Sequence, residues 1–177
     1  LDEQLLMDYL LKNETDQPMR AFLVQKHVDD IVATMFRQTM FAEFEREIHE
    51  QVEDGKALTV DSLRATYRSL LTDYFGPNVD IPELADLEGL RIPHFYRAFY
   101  VYKYATGIAA AISLASRVLH GESNAVESYF QFLKSGGSRF PIESLRLGGV
   151  DMESPDPIMR AIDTFQDRVV ELERLIV

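Results

Sequence analysis

The sequence predicts an all-α chain, and three observations carry that reading. Apolar residues recur at spacings of three and four, segment after segment, as one face of a helix requires. Capping residues and prolines stand before these segments, and glycines stand after them. No stretch alternates apolar and polar residues with the period of two that a half-buried strand shows. At 177 residues the chain is long enough to bury a substantial core, and residues 1–177 read as a single helical segment without internal repeats.

The elements follow in order. Leu5, Leu6, Tyr9 and Leu10 form a stripe, so the opening reads as the tail of a helix. Asp16 caps a second helix with Pro18 in its first turn, where the missing N–H costs nothing. Phe22, Leu23, His27, Ile31, Met40 and Phe44 carry this helix to Gly55. Thr59 caps a third, carrying Leu63, Tyr67, Leu70, Leu71 and Tyr74 and stopped by FGPN. Residues 79–90 are acidic and irregular. Pro93 is expected to open one long helix reaching Gly121, and another runs from about Ser123 to Lys134. PIESLRL is a short helix between two glycine-containing loops, and Ser154 caps a final amphipathic helix ending ELERLIV.

Composition removes several functions. A net charge of −11 opposes a phosphate-tracking nucleic-acid face or an anionic membrane surface. The longest apolar run, Ile108 to Ala115, is too short to span a bilayer, so neither nucleic acid nor membrane is an expected partner. With no cysteine, disulfides and thiolate metal sites are excluded, and a reducing, cytoplasmic setting is compatible. The pairs Gly136-Gly137 and Gly148-Gly149 lack the lysine of a phosphate loop, and no G-x-S-x-G occurs. The first residue is Leu1, and LDEQLLMDYLLK reads as mid-helix; the expectation is a piece of a longer protein.

The richest stretch is IPHFYRAFYVYKYATG, Ile92 to Gly107. On one helix Tyr96, Tyr100, Tyr104 and Gly107 share roughly a quarter of the circumference. Phe95, Phe99, Tyr102 and Thr106 form a separate stripe. One reading is core packing with tyrosine tips reaching water or a carbonyl. The other is a row of O–H donors beside His94, facing a cleft and suited to an oxyanion or a peptide backbone. A second stretch, His49-Glu50-Gln51-Val52-Glu53, falls one residue short of the zinc-binding H-E-x-x-H. Glu45, His49 and Glu53 share a helix face, but Arg46 lies one turn before Glu50, so an exposed ion pair on an acidic scaffold helix is the preferred reading. His27 with Asp30 reads as a surface pair or core contact rather than a metal site, and His120 as a helix-end residue.

The string IPHFYRAFYVYKYATG resembles the tyrosine-rich segment downstream of the zinc site in the oligoendopeptidase F branch of the thimet-type zinc metallopeptidases. FRQTMFAEFEREIHE (Phe36–Glu50), YFQFLKSGGSRFPIESLRLGGVDM (Tyr129–Met152) and the closing ELERLI resemble segments of the same branch in the same order. The resemblance implies a nearly all-helical enzyme that cuts internal bonds of short peptides with one zinc ion. It implies that the zinc ligands and the water-activating glutamate lie upstream of Leu1, so no metal ligand is expected in this chain. The chain is then the C-terminal portion of the catalytic domain, its first partner the missing N-terminal part, and it is inactive alone. By resemblance His94, Tyr100 and Tyr104 stabilise the transition state and Tyr96 contacts substrate; by its place on the same stripe Gly107 is a substrate contact allowing close approach, and Tyr102, on the phenyl stripe, packs. The alternatives are a non-catalytic helical peptide-binding module and a purely structural one.

Overall fold

The computed structural model describes residues 1–176, and among them every regular element is helical. Val177, the last residue of the expected closing helix, lies outside the described residues. The helices are α1 (Asp2–Asn13), α2 (Gln17–Ile31), α3 (Arg37–Glu53), α4 (Val60–Phe75), α5 (Glu88–Arg91), α6 (Tyr102–Leu119), α7 (Ala125–Ser135), α8 (Pro141–Leu147) and α9 (Asp156–Ile176). They gather into two compact units. One comprises Leu1–Val32 and the chain from Thr106 onward; the other is Ala33–Ala105.

The caps expected of Asp16 and Thr59 are in place. The Asp16 carboxylate accepts the Met19 N–H at 3.0 Å, and Thr59 and Ser62 form a reciprocal capping box at the start of α4. The last helix differs by one residue: Pro155 stands before it and its carbonyl accepts the Met159 N–H, while Ser154, one residue further out, accepts the Asp156 N–H at 3.2 Å. The long helix expected from Asp16 to Gly55 is helical throughout, but it contains one wider π turn at Val32–Phe36. An inserted residue of this kind rotates all later side chains by about 100°. Val24, Val28 and Ile31 before it are buried in the first unit, and Met40, Phe41 and Phe44 after it in the second.

In the first unit α2 packs along α9, and Arg20 pairs with Glu171 while donating to the Leu11 carbonyl. His27 is buried here. Its Nε2 donates to the Gln4 side-chain oxygen at 3.0 Å, and its Nδ1 is buried without a partner. It is therefore a neutral core histidine, as one of the two sequence readings holds. Burial, and then the positive charge of Arg168, lower its pKa from the usual 6.5 to about 4, against the opposing pull of Asp30 and Glu171. Between these values the unfolded chain binds a proton that the folded chain refuses, so stability falls as pH drops through this window. Lowering the pH from 7 to 4.5 should cost about 2 kcal/mol through His27 alone. Urea unfolding of the wild type and of His27→Gln at both pH values checks this. The variant should lack that increment, while the loss from carboxylates such as Glu171 cancels between the two proteins.

The second unit holds the aromatic core. Phe44 is 1% exposed and meets Tyr67 edge to face at 5.2 Å and Phe95 at a tilt, also at 5.2 Å. Phe41, Met40, Leu70, Leu71 and Val101 complete the cluster. Gly89 of α5 lets that segment lie against it, because a Cβ there would stand 2.7 Å from the Tyr67 ring. The acidic stretch before α5 is tied to α4 by Asp86, which is buried and accepts from Arg64 Nε and Arg68 Nε, both at 2.9 Å. These two hydrogen bonds, the Arg68 bond first, hold the Asp86 carboxyl below the usual range.

One expectation fails. Pro93 does not open a helix that runs to Gly121. Pro93–Tyr96 is a single 3₁₀ turn, Arg97 is extended, Phe99 is left-handed with φ 56°, and α6 begins only at Tyr102. The core supplies the reason. On one continuous helix Phe95 and Val101 would point about 120° apart. The break turns both into the same cluster, where Phe95 packs against Phe41 and Phe44 and Val101 is fully buried. Tertiary burial overrides the local helical pattern.

Candidate functional site

Breaking the helix rearranges the predicted tyrosine row without dispersing it. His94 and Tyr100 lie face to face, with ring centroids 5.6 Å apart and planes 22° from parallel. Tyr104 meets both edge on, 6.0 Å from His94 and 5.6 Å from Tyr100. The Tyr104 hydroxyl donates to the Tyr100 hydroxyl at 3.2 Å, which raises the Tyr104 pKa and keeps its proton in place. All three residues are half-buried. The structure thus brings together the three side chains expected to act on a transition state.

The other two candidates are placed differently. Tyr96 is 83% exposed, and its hydroxyl lies at the long distance of 3.5 Å from the Leu90 carbonyl. The quarter-circumference row of Tyr96, Tyr100, Tyr104 and Gly107 does not exist, because Tyr96 and Tyr104 stand on separate elements. Gly107 belongs to the first unit, is exposed on α6, and has open space where a Cβ would be. Tyr102, expected to pack, is 55% exposed at the start of α6.

Positive charge surrounds Tyr100. The Arg97 guanidinium lies 5.2 Å and the Lys103 ammonium 4.8 Å from its ring centroid. An O–H that receives a hydrogen bond from a second phenol, with two cations beside its ring, suits an acceptor on which negative charge develops. Because Tyr104 is the donor in this pair, the Tyr100 proton is not used within it.

A residue not singled out for this site holds it up. Glu45 of α3 is 3% exposed, and its carboxylate accepts the Phe99 N–H at 2.6 Å. His49, one turn later, stacks on the Phe99 ring at 4.8 Å. The near-miss of a zinc motif is therefore a contact face for the turn before Tyr100. Arg46 and Glu50 form the expected exposed ion pair at 3.7 Å. A zinc site does not fit the residues present: among those described, no group of three or more histidine, aspartate or glutamate side chains is placed to hold a metal ion. The signal for Glu45 is in the sequence. It lies about 40° from Phe41 around α3, an acid at the edge of the apolar arc of Phe44, Ile48 and Phe41.

Known proteins match this chain over its whole length. The profile of peptidase family M3 covers residues 1–164. The chain belongs to peptidase family M3. An oligoendopeptidase F homolog of Borreliella burgdorferi is 46% identical over 99% of this chain and 30% of its own length. Oligopeptidase PepF of Bacillus subtilis is 43% identical, again over 99% of this chain and 26% of its own. The crystal structure of oligoendopeptidase-F from Enterococcus faecium superposes with a TM-score of 0.93 at 42% identity, over 97% of this chain and 33% of that one. The M3 chain described here spans less than a third of the length of the curated relatives it matches. Among its described residues no helix is long and apolar enough to cross a membrane.

Proposed function

We propose that residues 1–177 are the C-terminal portion of the catalytic domain of a cytoplasmic, zinc-dependent oligoendopeptidase that hydrolyses internal bonds of short peptides. Family M3 is zinc-dependent in general, and the metal ligands and water-activating glutamate belong to the part of the protein outside this chain. This chain supplies hydrogen bonds. Tyr100 donates to the oxygen of the attacked carbonyl as it gains charge, Tyr104 polarises Tyr100, and the His94 ring orients the pair and offers a second donor. Tyr96 and Gly107 contact substrate, the first through an exposed phenol and the second by leaving room for a peptide backbone. The observation that carries this reading is the Tyr104-to-Tyr100 hydrogen bond beside His94.

Cleavage of a quenched fluorescent peptide, with zinc stoichiometry measured in parallel, tests it. The full-length protein should turn over peptide in a metal-dependent manner, and the purified 177-residue chain should do neither. Metal-dependent turnover by the chain alone contradicts the proposal. Peptide binding without turnover by the full-length protein favours a non-catalytic binding module instead.

A further inference from the structure

Tyr100 is presented by an unusual piece of backbone. The residue before it, Phe99, has φ 56°, a conformation that strains a bulky L-residue and persists only where its surroundings enforce it. Tyr100 and Val101 lie beyond it, Val101 locked in the core at full burial. The phenol of Tyr100 is thus fixed from one side by Val101 and from the other by whatever holds Phe99.

What holds Phe99 is on α3. The Glu45 carboxylate accepts the Phe99 N–H at 2.6 Å, the short distance of a charge-assisted bond. Glu45 is itself rigid, because it rises from α3 beside Phe41 and Phe44 and is almost wholly removed from solvent. A carboxylate is costly at such a position unless it is hydrogen-bonded, so the bond and the burial require each other. Removing the acceptor leaves the Phe99 N–H without that partner on a strained residue, and the strain is then free to relax into the turn that carries Tyr100.

We propose that Glu45 is a positioning residue for the site. Its buried carboxylate anchors the Phe99 amide, and this sets the left-handed turn that stacks Tyr100 on His94. The ring of Phe99 on His49 is a secondary contact: both residues are exposed, whereas the carboxylate is not. The catalytic consequence of this anchor rests on the peptidase reading above.

The test separates the two halves. In the wild-type 177-residue chain, amide hydrogen exchange by NMR should find the Phe99 N–H protected like a core helix amide, although it lies in a turn of an exposed residue. Exchange at the rate of an open loop overturns the proposal without any variant. Glu45→Met, which keeps length and apolar packing but has no acceptor, should lose that protection together with the His94–Tyr100 ring contacts seen by nuclear Overhauser effect. Phe99→Gly, which keeps the N–H and tolerates positive φ, should retain those ring contacts; their loss would assign the turn to the ring stack and overturn the role of Glu45. In the full-length peptidase, Glu45→Met should lower kcat by about 10²-fold with KM within about threefold, the signature of a displaced reacting group. Glu45→Gln, whose amide oxygen still accepts, should recover most of that loss. An unchanged kcat with lost ring contacts overturns the positioning role. Absence of peptide hydrolysis in the unmutated full-length protein removes the peptidase reading alone, and the NMR results then decide the anchoring.

Discussion

Tyr100→Phe in the full-length peptidase is expected to lower kcat by about 10²–10³-fold while KM stays within about threefold, as removal of one oxyanion donor does elsewhere. The substitution deletes a hydroxyl and keeps the ring, so stacking on His94 at 5.6 Å and the contacts with Arg97 and Lys103 survive. The change therefore reads the hydrogen bond and little else. Tyr104→Phe should cost less, about tenfold, because it removes only the bond that polarises Tyr100. The double variant should be little worse than Tyr100→Phe alone, since Tyr104 acts through the hydroxyl already removed. Steady-state kinetics on a fluorogenic peptide resolves all three. A KM effect without a kcat effect would make the tyrosines ordinary substrate contacts.

Phe44→Ala is expected to destabilise the Ala33–Ala105 unit by about 3–5 kcal/mol. The ring packs on both Tyr67 and Phe95, and it lies against the place where Gly89 has no side chain. Neighbours cannot close the cavity from the Gly89 side, because that residue has nothing to extend into it. Tyr67 resists movement too, since its hydroxyl donates to Glu88, which pairs with Arg37. Loss of Phe44 also frees Phe95, the neighbour of His94, so the site should loosen before the helices melt. Chemical denaturation followed by circular dichroism gives the stability loss, and a loss below about 1 kcal/mol would contradict this account of the core.

The fold was legible where local chemistry and tertiary packing agree. Asp16 and Thr59 each cap what they were expected to cap, and α2 and α3 continue one another across the π turn as the expected helical stretch from Asp16 to Gly55. Legibility failed between Pro93 and Val101. There the pattern of aromatic residues is compatible with a helix, and the demand of Phe95 and Val101 for the same core cluster breaks it. That demand is visible only once α3 and α4 are in place. The same holds for the π turn, which marks a change in the core that the helix faces rather than any unusual residue in VATMF.

Part of the site was legible through residue chemistry and part was not. His94, Tyr100 and Tyr104 meet, although the shared helix face that was expected to bring them together is absent. The sequence reading sets Glu45 on a face with His49 and Glu53 of an acidic scaffold helix, and its place at the edge of the apolar arc of Phe44, Ile48 and Phe41 is the clue that it is buried. An acid in such an arc needs a donor, and the donor lies far along the chain, at Phe99.

The most direct measurement is the affinity of full-length wild type and Tyr100→Phe for a phosphinic peptide that mimics the tetrahedral transition state. Such analogues bind in proportion to transition-state stabilisation. The account predicts that the inhibition constant rises by the same factor by which kcat/KM falls. An inhibition constant unchanged by Tyr100→Phe would contradict it.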